Sequence, residues 1–124
     1  MVCIIGDTTV TTKLPHFNVG SKVWLERNGR SCGDGLFILL SGVARLGSIA
    51  RAASDTGMSY RAAWGKIKEA EKSWNIVLVR TQIGGESGGG AVLTAEGEEL
   101  LAKFQRFKQM AEGAVQELFD GLFK

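Results

Sequence analysis

The sequence predicts a small, mainly α-helical domain with two short β-hairpins and a long C-terminal helix. Three observations support this class. Apolar residues recur at helical spacing in three successive segments between residues 34 and 74. Two pairs of short apolar stretches flank residues that favour turns, as the strands of a hairpin do. A helical pattern then runs from Thr94 to the end of the chain without proline. At 124 residues the chain has room for one core but not for a second ligand-binding domain.

The stretch SKVWLERNGRSC, residues 21–32, predicts the first hairpin. Val23 and Leu25 alternate with more polar positions, and the pair Asn28-Gly29 suits a type I′ turn, which needs positive φ at both central residues. The preceding residues 1–20 show no clear pattern and are left as an unassigned arm.

Three helices are expected next. Asp34 is predicted to cap the first, GLFILLSGVARL, and Gly47 to end it in the left-handed conformation. Ser48 is predicted to open a short second helix that Gly57 closes. Ser59 is then predicted to cap the third helix, YRAAWGKIKEAEKSW.

The second and third predicted helices form a helix-turn-helix, because a short turn containing glycine joins them. The third helix should bury one stripe, formed by Ala63, Ile67, Ala70 and Trp74. Its other face should present Tyr60, Arg61, Trp64, Gly65, Lys68 and Lys72. Trp64 fits either a packing role, which we favour, or a place near a DNA backbone. Trp24 and Trp74 are assigned to packing.

The segments IVLVRTQI and AVLT predict a second hairpin, with the glycine-rich GGESGGGAV at its end. That loop has no GxxxxGK[ST] pattern and runs into a strand, so it does not predict a nucleotide-binding P-loop. Glycines at a hairpin tip instead allow backbone amides to approach sugar and phosphate closely.

Thr94 is predicted to cap a helix of about 28 residues, roughly 40 Å long. Apolar residues in it alternate in steps of four and three, which is typical of a coiled-coil seam and predicts a homodimer. The seam residues are Leu100, Phe104, Phe107, Ala111, Ala114 and Leu118. Dimerisation through the N-terminal hairpin remains the alternative. The chain is therefore divided into residues 1–20, a domain at 21–94, and the long helix at 95–124.

Composition narrows the possible functions. The net charge is only +2, but seven basic and three acidic residues between Arg45 and Arg80 give that stretch a charge of +4. Cys3, Cys32 and the single His16 cannot supply a four-ligand zinc site, and no nucleophile and base stand out as a catalytic set. We therefore expect no metal, no cofactor and no enzyme activity. The N-terminus fits neither a secretory signal nor a membrane span, so a cytoplasmic protein without a membrane partner is expected.

The order of elements is that of a winged helix-turn-helix with a long C-terminal dimerisation helix. In that arrangement the second helix of the motif enters the major groove of DNA, and the second hairpin, the wing, reaches the flanking backbone. Basic and hydroxyl side chains on the predicted exposed face suit phosphates and base edges. A merely solvated helix face is the simpler interpretation of the same pattern.

The residues also resemble a known family. GSIARAASDTGMSYRAAW, followed by LVRTQIGGESGGGAVLTAEGEELLAKF, is similar to the DNA-binding domain of ModE-type molybdate-responsive transcriptional regulators, which are related to LysR-type proteins. The resemblance covers about 80 residues, and the GG followed by GGGA before LT is its most specific part. It implies a dimeric module that binds double-stranded DNA.

The resemblance and the face pattern together predict the DNA-binding residues. They are Ser48, Ser59, Tyr60, Arg61, Trp64, Lys66, Lys68, Arg80, Gly85, Ser87, Gly88 and Gly89. The sequence departs from the family at Glu86, where related wings often carry lysine. Glu86 and the low net charge favour the alternative function, a winged-helix module that binds proteins without DNA.

Full-length members of the family continue into a molybdate-binding region, whereas this chain stops at Lys124. A single-domain member is expected, with no molybdate site and with any signal supplied by a separate effector-binding protein.

Overall fold

A computed structural model describes residues 12–82 and 90–124 of the chain. Within these residues the helices and strands follow one another as β1 (Leu25–Arg27), β2 (Arg30–Cys32), α1 (Asp34–Leu46), α2 (Ile49–Asp55), α3 (Tyr60–Trp74), β3 (Val79–Gln82), β4 (Gly90–Leu93) and α4 (Ala95–Phe123). The predicted class, mainly helical with two small hairpins and a long last helix, is confirmed. None of the helices in the described part is both long enough and apolar enough to cross a membrane.

The first hairpin has the predicted turn. Strands β1 and β2 are antiparallel and end on the pair Arg27 and Arg30. Between them Asn28 has φ 52° and Gly29 has φ 79°, which matches the two positive φ angles of a type I′ turn.

Most of the predicted helix caps are present in the structure. Ser48 accepts a hydrogen bond from the Arg51 amide at 3.2 Å, and Ser59 accepts one from the Ala62 amide at 3.1 Å. Gly47 ends α1 with φ 69°. Each of these residues forms a hydrogen bond with a backbone amide or carbonyl at a helix end, where such groups lack a partner within the helix.

The prediction for Asp34 is wrong. Gly33 occupies the cap position, and Asp34 is the first helical residue of α1. Its carboxylate lies 3.1 Å from the Nζ of Lys108 on α4. At the first helical position, the negative charge of an aspartate interacts favourably with the positive end of the helix dipole, but the side chain does not cap the helix.

The core lies between the first three helices, the wing strands and the start of α4. The largest fully buried side chains are Leu36, Leu39, Leu40, Val43, Ile67 and Leu78. Gly42 lets α1 and α2 cross closely, since a Cβ at this position would lie 2.7 Å from the Cβ of Ala52. Phe104 of α4 stacks on Phe37 of α1, with ring centroids 4.0 Å apart.

Strands β3 and β4 form the predicted wing. They are antiparallel, from the pair Val79 and Leu93 to the pair Gln82 and Gly90. The Ala91 amide donates to the carbonyl of Gly47 at 2.9 Å, which ties the wing to the end of α1.

Thr94 connects the wing to the long helix. Its hydroxyl accepts a hydrogen bond from the Gly97 amide at 2.9 Å and donates one to the Val77 carbonyl at 2.6 Å. The predicted cap of α4 is therefore confirmed, and the same side chain fixes the base of the wing.

The part of the arm that the structure describes, together with its continuation to β1, forms no helix or strand over residues 12–24. Phe17 meets the far end of α4, where its ring lies edge-on to Phe123 with centroids 6.4 Å apart. Phe119 stacks on Phe123 at 4.7 Å. The described part of the arm thus meets the C-terminal end of α4.

Candidate nucleic-acid interface

Helix α3 has one buried side and one open side. Its inward stripe consists of Ala63, Ile67, Ala70 and Trp74, all buried as predicted. Since successive residues turn about 100° round a helix, Arg61 and Gly65 lie opposite this stripe. Arg61 is exposed and Gly65 is partly exposed, so this side of the N-terminal half of α3 faces away from the core.

On the side of α3 nearest the wing, the structure brings Ser48 and Tyr60 together. They line a cavity of about 240 Å³ with Gln82 and Gly90 of the wing. Tyr60 is 51% exposed. The start of α2, the start of α3 and the wing strands therefore converge on one surface, defined here as the wing-side surface.

On the other side of α3, basic residues surround a cavity of about 500 Å³. Arg61 and Lys66 of α3 line it with Arg30 of the first hairpin and the start of α1. The Lys66 side chain lies along Gly35, where a Cβ would be 3.5 Å from the lysine Nζ. This surface is defined here as the hairpin-side surface.

Lys68 is held within the domain. Its Nζ lies 3.1 Å from a carboxylate oxygen of Glu71 and 5.6 Å from the centroid of the Trp64 ring. Trp64 is 43% exposed, which gives it both a packing surface and an open surface. Trp24, which was assigned to packing, is 48% exposed and donates its Nε1–H to Glu26 at 2.7 Å.

Arg80 lies exposed on β3, opposite Val92 of β4. The predicted contacts at Gly85, Ser87, Gly88 and Gly89, like the departure at Glu86, lie outside the described residues.

Glu71 anchors the wing to α3, a role that the sequence did not predict. One of its oxygens accepts hydrogen bonds from the amides of Leu78 at 2.7 Å and Val79 at 3.0 Å. Hydrogen bonds to an ionised acceptor are among the stronger ones in proteins. The position of the wing relative to α3 is therefore set by a side chain of α3 itself.

The first hairpin is also fixed to α3, another contact that the sequence did not predict. Asn28 donates to the Ser73 carbonyl at 2.9 Å, and Arg27 donates to the Trp74 carbonyl at 3.1 Å. Trp74 in turn donates its Nε1–H to the Arg30 carbonyl at 3.1 Å. Carbonyl groups at the end of a helix lack partners within the helix, and the turn of the hairpin supplies them.

Cys32 sits beside the basic cavity. Burial raises the pKa of its thiol, while the positive charges of Arg30 and Lys66 act in the opposite direction and Glu69 adds to the rise. The thiol is therefore neutral near pH 7 and places no negative charge among these cations.

The predicted seam of α4 divides into two parts. Leu100 is partly buried and Phe104 is buried against Phe37, so both contribute to the core of their own chain. Farther along, Phe107 is 48% exposed and Leu118 is 69% exposed, with Ala111 and Ala114 between them. Only the part from Phe107 onward leaves large apolar side chains open.

Known proteins match this arrangement. A family model described as a bacterial regulatory helix-turn-helix protein of the lysR family matches residues 36–98, half of the chain. The chain is 42% identical over 82 residues to the molybdenum-pterin-binding protein MopB of Rhodobacter capsulatus, covering 66% of this chain and 30% of that protein. It is 39% identical over 82 residues to the DNA-binding transcriptional dual regulator ModE of Escherichia coli K12, covering 66% and 31%.

A solved structure confirms the winged-helix fold. The DNA-binding domain of CbnR, crystallised in complex with DNA, superposes with a TM-score of 0.55 at 20% identity, covering 71% of this chain and 95% of that one. The chain spans less than a third of the length of MopB and ModE. The similarity to both confirms the predicted resemblance to ModE-type regulators, and the chain belongs to the lysR family of bacterial regulatory helix-turn-helix proteins.

Proposed function

We propose that the chain is a DNA-binding transcriptional regulator that reads double-stranded DNA with the N-terminal half of α3 in the major groove. The observation that carries this proposal is the placement of Ser59, Tyr60 and Arg61. They lie at the exposed start of α3, between a wing on one side and a hairpin on the other.

The dimensions and chemistry of this surface suit duplex DNA. An α-helix with its side chains is about 10–12 Å across, and the major groove is about 12 Å wide. Arg61 offers a planar group of five donors, which can bind a guanine edge with two hydrogen bonds or hold a phosphate. The relative ModE is named as a DNA-binding regulator, and CbnR was crystallised on DNA.

The proposed regulator acts as a homodimer paired along α4. The exposed apolar residues beyond the core include Phe107, Met110, Leu118 and Leu122. A monomer would leave this row in water, and a second copy would cover it with the same row. Two copies of α3 would then meet two half-sites, separated by about one helical turn of DNA or a multiple of it. Such a regulator requires no cofactor and works in the cytoplasm, where bacterial DNA lies.

The test begins with selection of bound fragments from genomic and random duplexes, followed by fluorescence anisotropy on a selected and a scrambled duplex. Arg61→Ala should weaken binding of the selected duplex by about 1 to 3 kcal/mol if Arg61 reads a base, or weaken both duplexes alike if it holds a phosphate. Lys103→Ala is the matched control. Lys103 is an exposed cation paired with Glu99 at 2.7 Å on α4, away from α3.

Unchanged binding by the Arg61 variant would remove Arg61 from the interface. Failure of the wild-type protein to retain any duplex over the scrambled pool at 0.1 M salt would overturn the proposed function.

A further inference from the structure

We propose that the β1–β2 hairpin is a second DNA-backbone contact, and that Arg30, Arg61 and Lys66 receive one phosphate in the cavity between them. This inference rests on the proposed function and adds to it a binding element at the opposite side of α3 from the wing. Arg30 is its key residue.

The hairpin is held firmly enough to position a charge. Three hydrogen bonds join Asn28, Arg27 and the Arg30 carbonyl to the last turn of α3, at 2.9 to 3.1 Å. The Arg30 side chain then reaches back toward the middle of the same helix, where it lies 3.1 Å from Glu69. The hairpin that carries Arg30 is therefore attached to the helix proposed to enter the groove, and the Arg30 side chain lines the same cavity as Arg61 and Lys66.

The charges of the cavity favour an anion. Three cations face the cavity and Glu69 is the acid among its lining residues. The Cys32 thiol beside them is neutral near pH 7 because burial raises its pKa. A net positive cavity of about 500 Å³ is large enough for a phosphate group and the hydration around it.

The two surfaces flank the face that would enter the groove. Tyr60 of the wing-side surface and Lys66 of the hairpin-side surface lie on opposite flanks of the exposed face of α3, each roughly 120° from its midline. The major groove is bordered by one phosphate backbone on each side. When α3 lies in the groove, the wing faces one backbone and the Arg30 cavity faces the other.

The ion pair of Arg30 with Glu69 does not prevent this contact. The side chains are 40% and 62% exposed, and exposed ion pairs of this kind contribute little stability. A guanidinium has five N–H donors, so Arg30 can hold a phosphate oxygen while it remains near Glu69. Glu69 should then weaken phosphate binding by repulsion, which gives a test of opposite sign.

The test compares Arg30→Ala, Glu69→Gln and the wild-type protein by fluorescence anisotropy over a range of salt concentrations. Each phosphate contact contributes about 0.9 to the slope of log affinity against log salt. We expect Arg30→Ala to weaken binding about tenfold at 0.15 M salt, equally on a selected and a scrambled duplex, with a slope shallower by about 1.8 for the two copies of a dimer. Glu69→Gln should bind more tightly with a slope no shallower than that of the wild type.

The chain offers a matched control in Arg45 and Asp55, an exposed pair at 3.3 Å that joins α1 to α2. Arg45 lines a groove with Phe104 and Lys108 of α4 instead of a cavity against α3. Arg45→Ala and Asp55→Asn should leave both affinity and slope unchanged. Thermal unfolding of all four variants separates lost binding from lost folding.

Uncharged phosphate analogues in the DNA can locate the phosphate that Arg30 contacts. Methylphosphonate groups placed singly along the selected duplex should identify one position at which the wild type loses affinity and Arg30→Ala loses nothing further. That position should lie across the groove from positions sensitive to Arg80→Ala on the wing.

The outcomes distinguish this inference from the proposed function. If the wild type binds duplexes and folded Arg30→Ala has its affinity and salt slope, the hairpin contact is wrong while the function stands. Loss of inorganic phosphate binding in Arg30→Ala with unchanged DNA affinity would assign the cavity to a free oxyanion and would also overturn the inference. Absence of duplex binding by the wild type overturns the proposed function itself.

Discussion

The carboxylate of Glu71 accepts a hydrogen bond of 2.7 Å from the backbone amide of Leu78. The same oxygen accepts a second one from Val79, and the Glu71 side chain is only 11% exposed. A charged side chain near the C-terminal end of α3 thus satisfies two backbone donors where the chain enters the wing. The role of Glu71 is therefore to position the wing, and Glu71 is not among the residues proposed to contact DNA.

Glu71→Ala should lower the free energy of unfolding by about 2 kcal/mol, because two backbone donors lose a charged acceptor in a partly buried place. It should also weaken DNA binding, since the wing loses its orientation. Urea denaturation measures the first effect. Glu112→Ala, an exposed position on α4, should stay within about 0.5 kcal/mol of the wild type. Equal unfolding curves for both variants would show that Glu71 does not anchor the wing.

Gly97→Ala should destabilise the fold by about 1 to 3 kcal/mol. Gly97 is buried in the first turn of α4, and a Cβ there would overlap the carbonyl oxygen of Leu78. Gly113→Ala is the matched control within the same helix, because a Cβ at Gly113 has nothing within 4 Å. Helix propensity predicts that this second change stabilises the chain by up to about 1 kcal/mol. Opposite signs in thermal denaturation are therefore expected, and a stabilising Gly97→Ala would contradict the close approach.

Leu118→Glu should dissociate the proposed dimer, because it places a charge in the exposed apolar row of α4 at a position that is 69% exposed in the single chain. Folding of the monomer should be unaffected at that position. Gln109→Glu introduces the same charge on the opposite side of the helix, where Gln109 is exposed, and should leave the dimer intact. Sedimentation velocity separates the two. A dimer that survives Leu118→Glu would favour pairing through the N-terminal hairpin.

Cys32 should react slowly with iodoacetamide at pH 8. Burial raises its pKa above the usual 9.0, so the folded chain holds the thiol proton over a pH interval in which an unfolded chain releases it. The stability that this group contributes is present below the usual pKa and falls as pH rises through the raised one. Measured in a Cys3→Ser background, the rate should increase on unfolding in urea. Arg30→Ala should slow it further, because Arg30 lowers the pKa of Cys32; a faster reaction would contradict this contact.

Local sequence rules predicted the parts of this fold that depend on neighbouring residues. Ser48, Ser59 and Thr94 cap helices because a hydroxyl three residues ahead of an amide can reach it. The turn at Asn28 and Gly29 follows from the few residues that accept positive φ. These features need no knowledge of distant parts of the chain.

Contacts between distant residues were harder to predict. The spacing of Phe104 fits a coiled-coil seam, but a helical stripe that packs on the chain's own core has nearly the same spacing. The stacking of Phe104 on Phe37 shows that it belongs to the core of its own chain. The Asp34 carboxylate meets Lys108, more than seventy residues away. The docking of Arg30 and Glu71 likewise depends on where other elements come to lie. The exposed face of α3 that we propose for DNA contact was therefore predictable as a pattern, whereas the contacts of Arg30 and Glu71 beside it were not.

The wing and the long helix are joined tightly at Thr94 and Gly97. The Thr94 hydroxyl holds the Val77 carbonyl at 2.6 Å, and Gly97 lies directly against Leu78. The wing and the start of α4 must then move together as one rigid unit. In the proposed dimer, the angle at which the two copies of α4 cross would therefore set the distance between the two copies of α3. A change in the pairing surface, far from any base, would thereby alter which operator spacing is preferred.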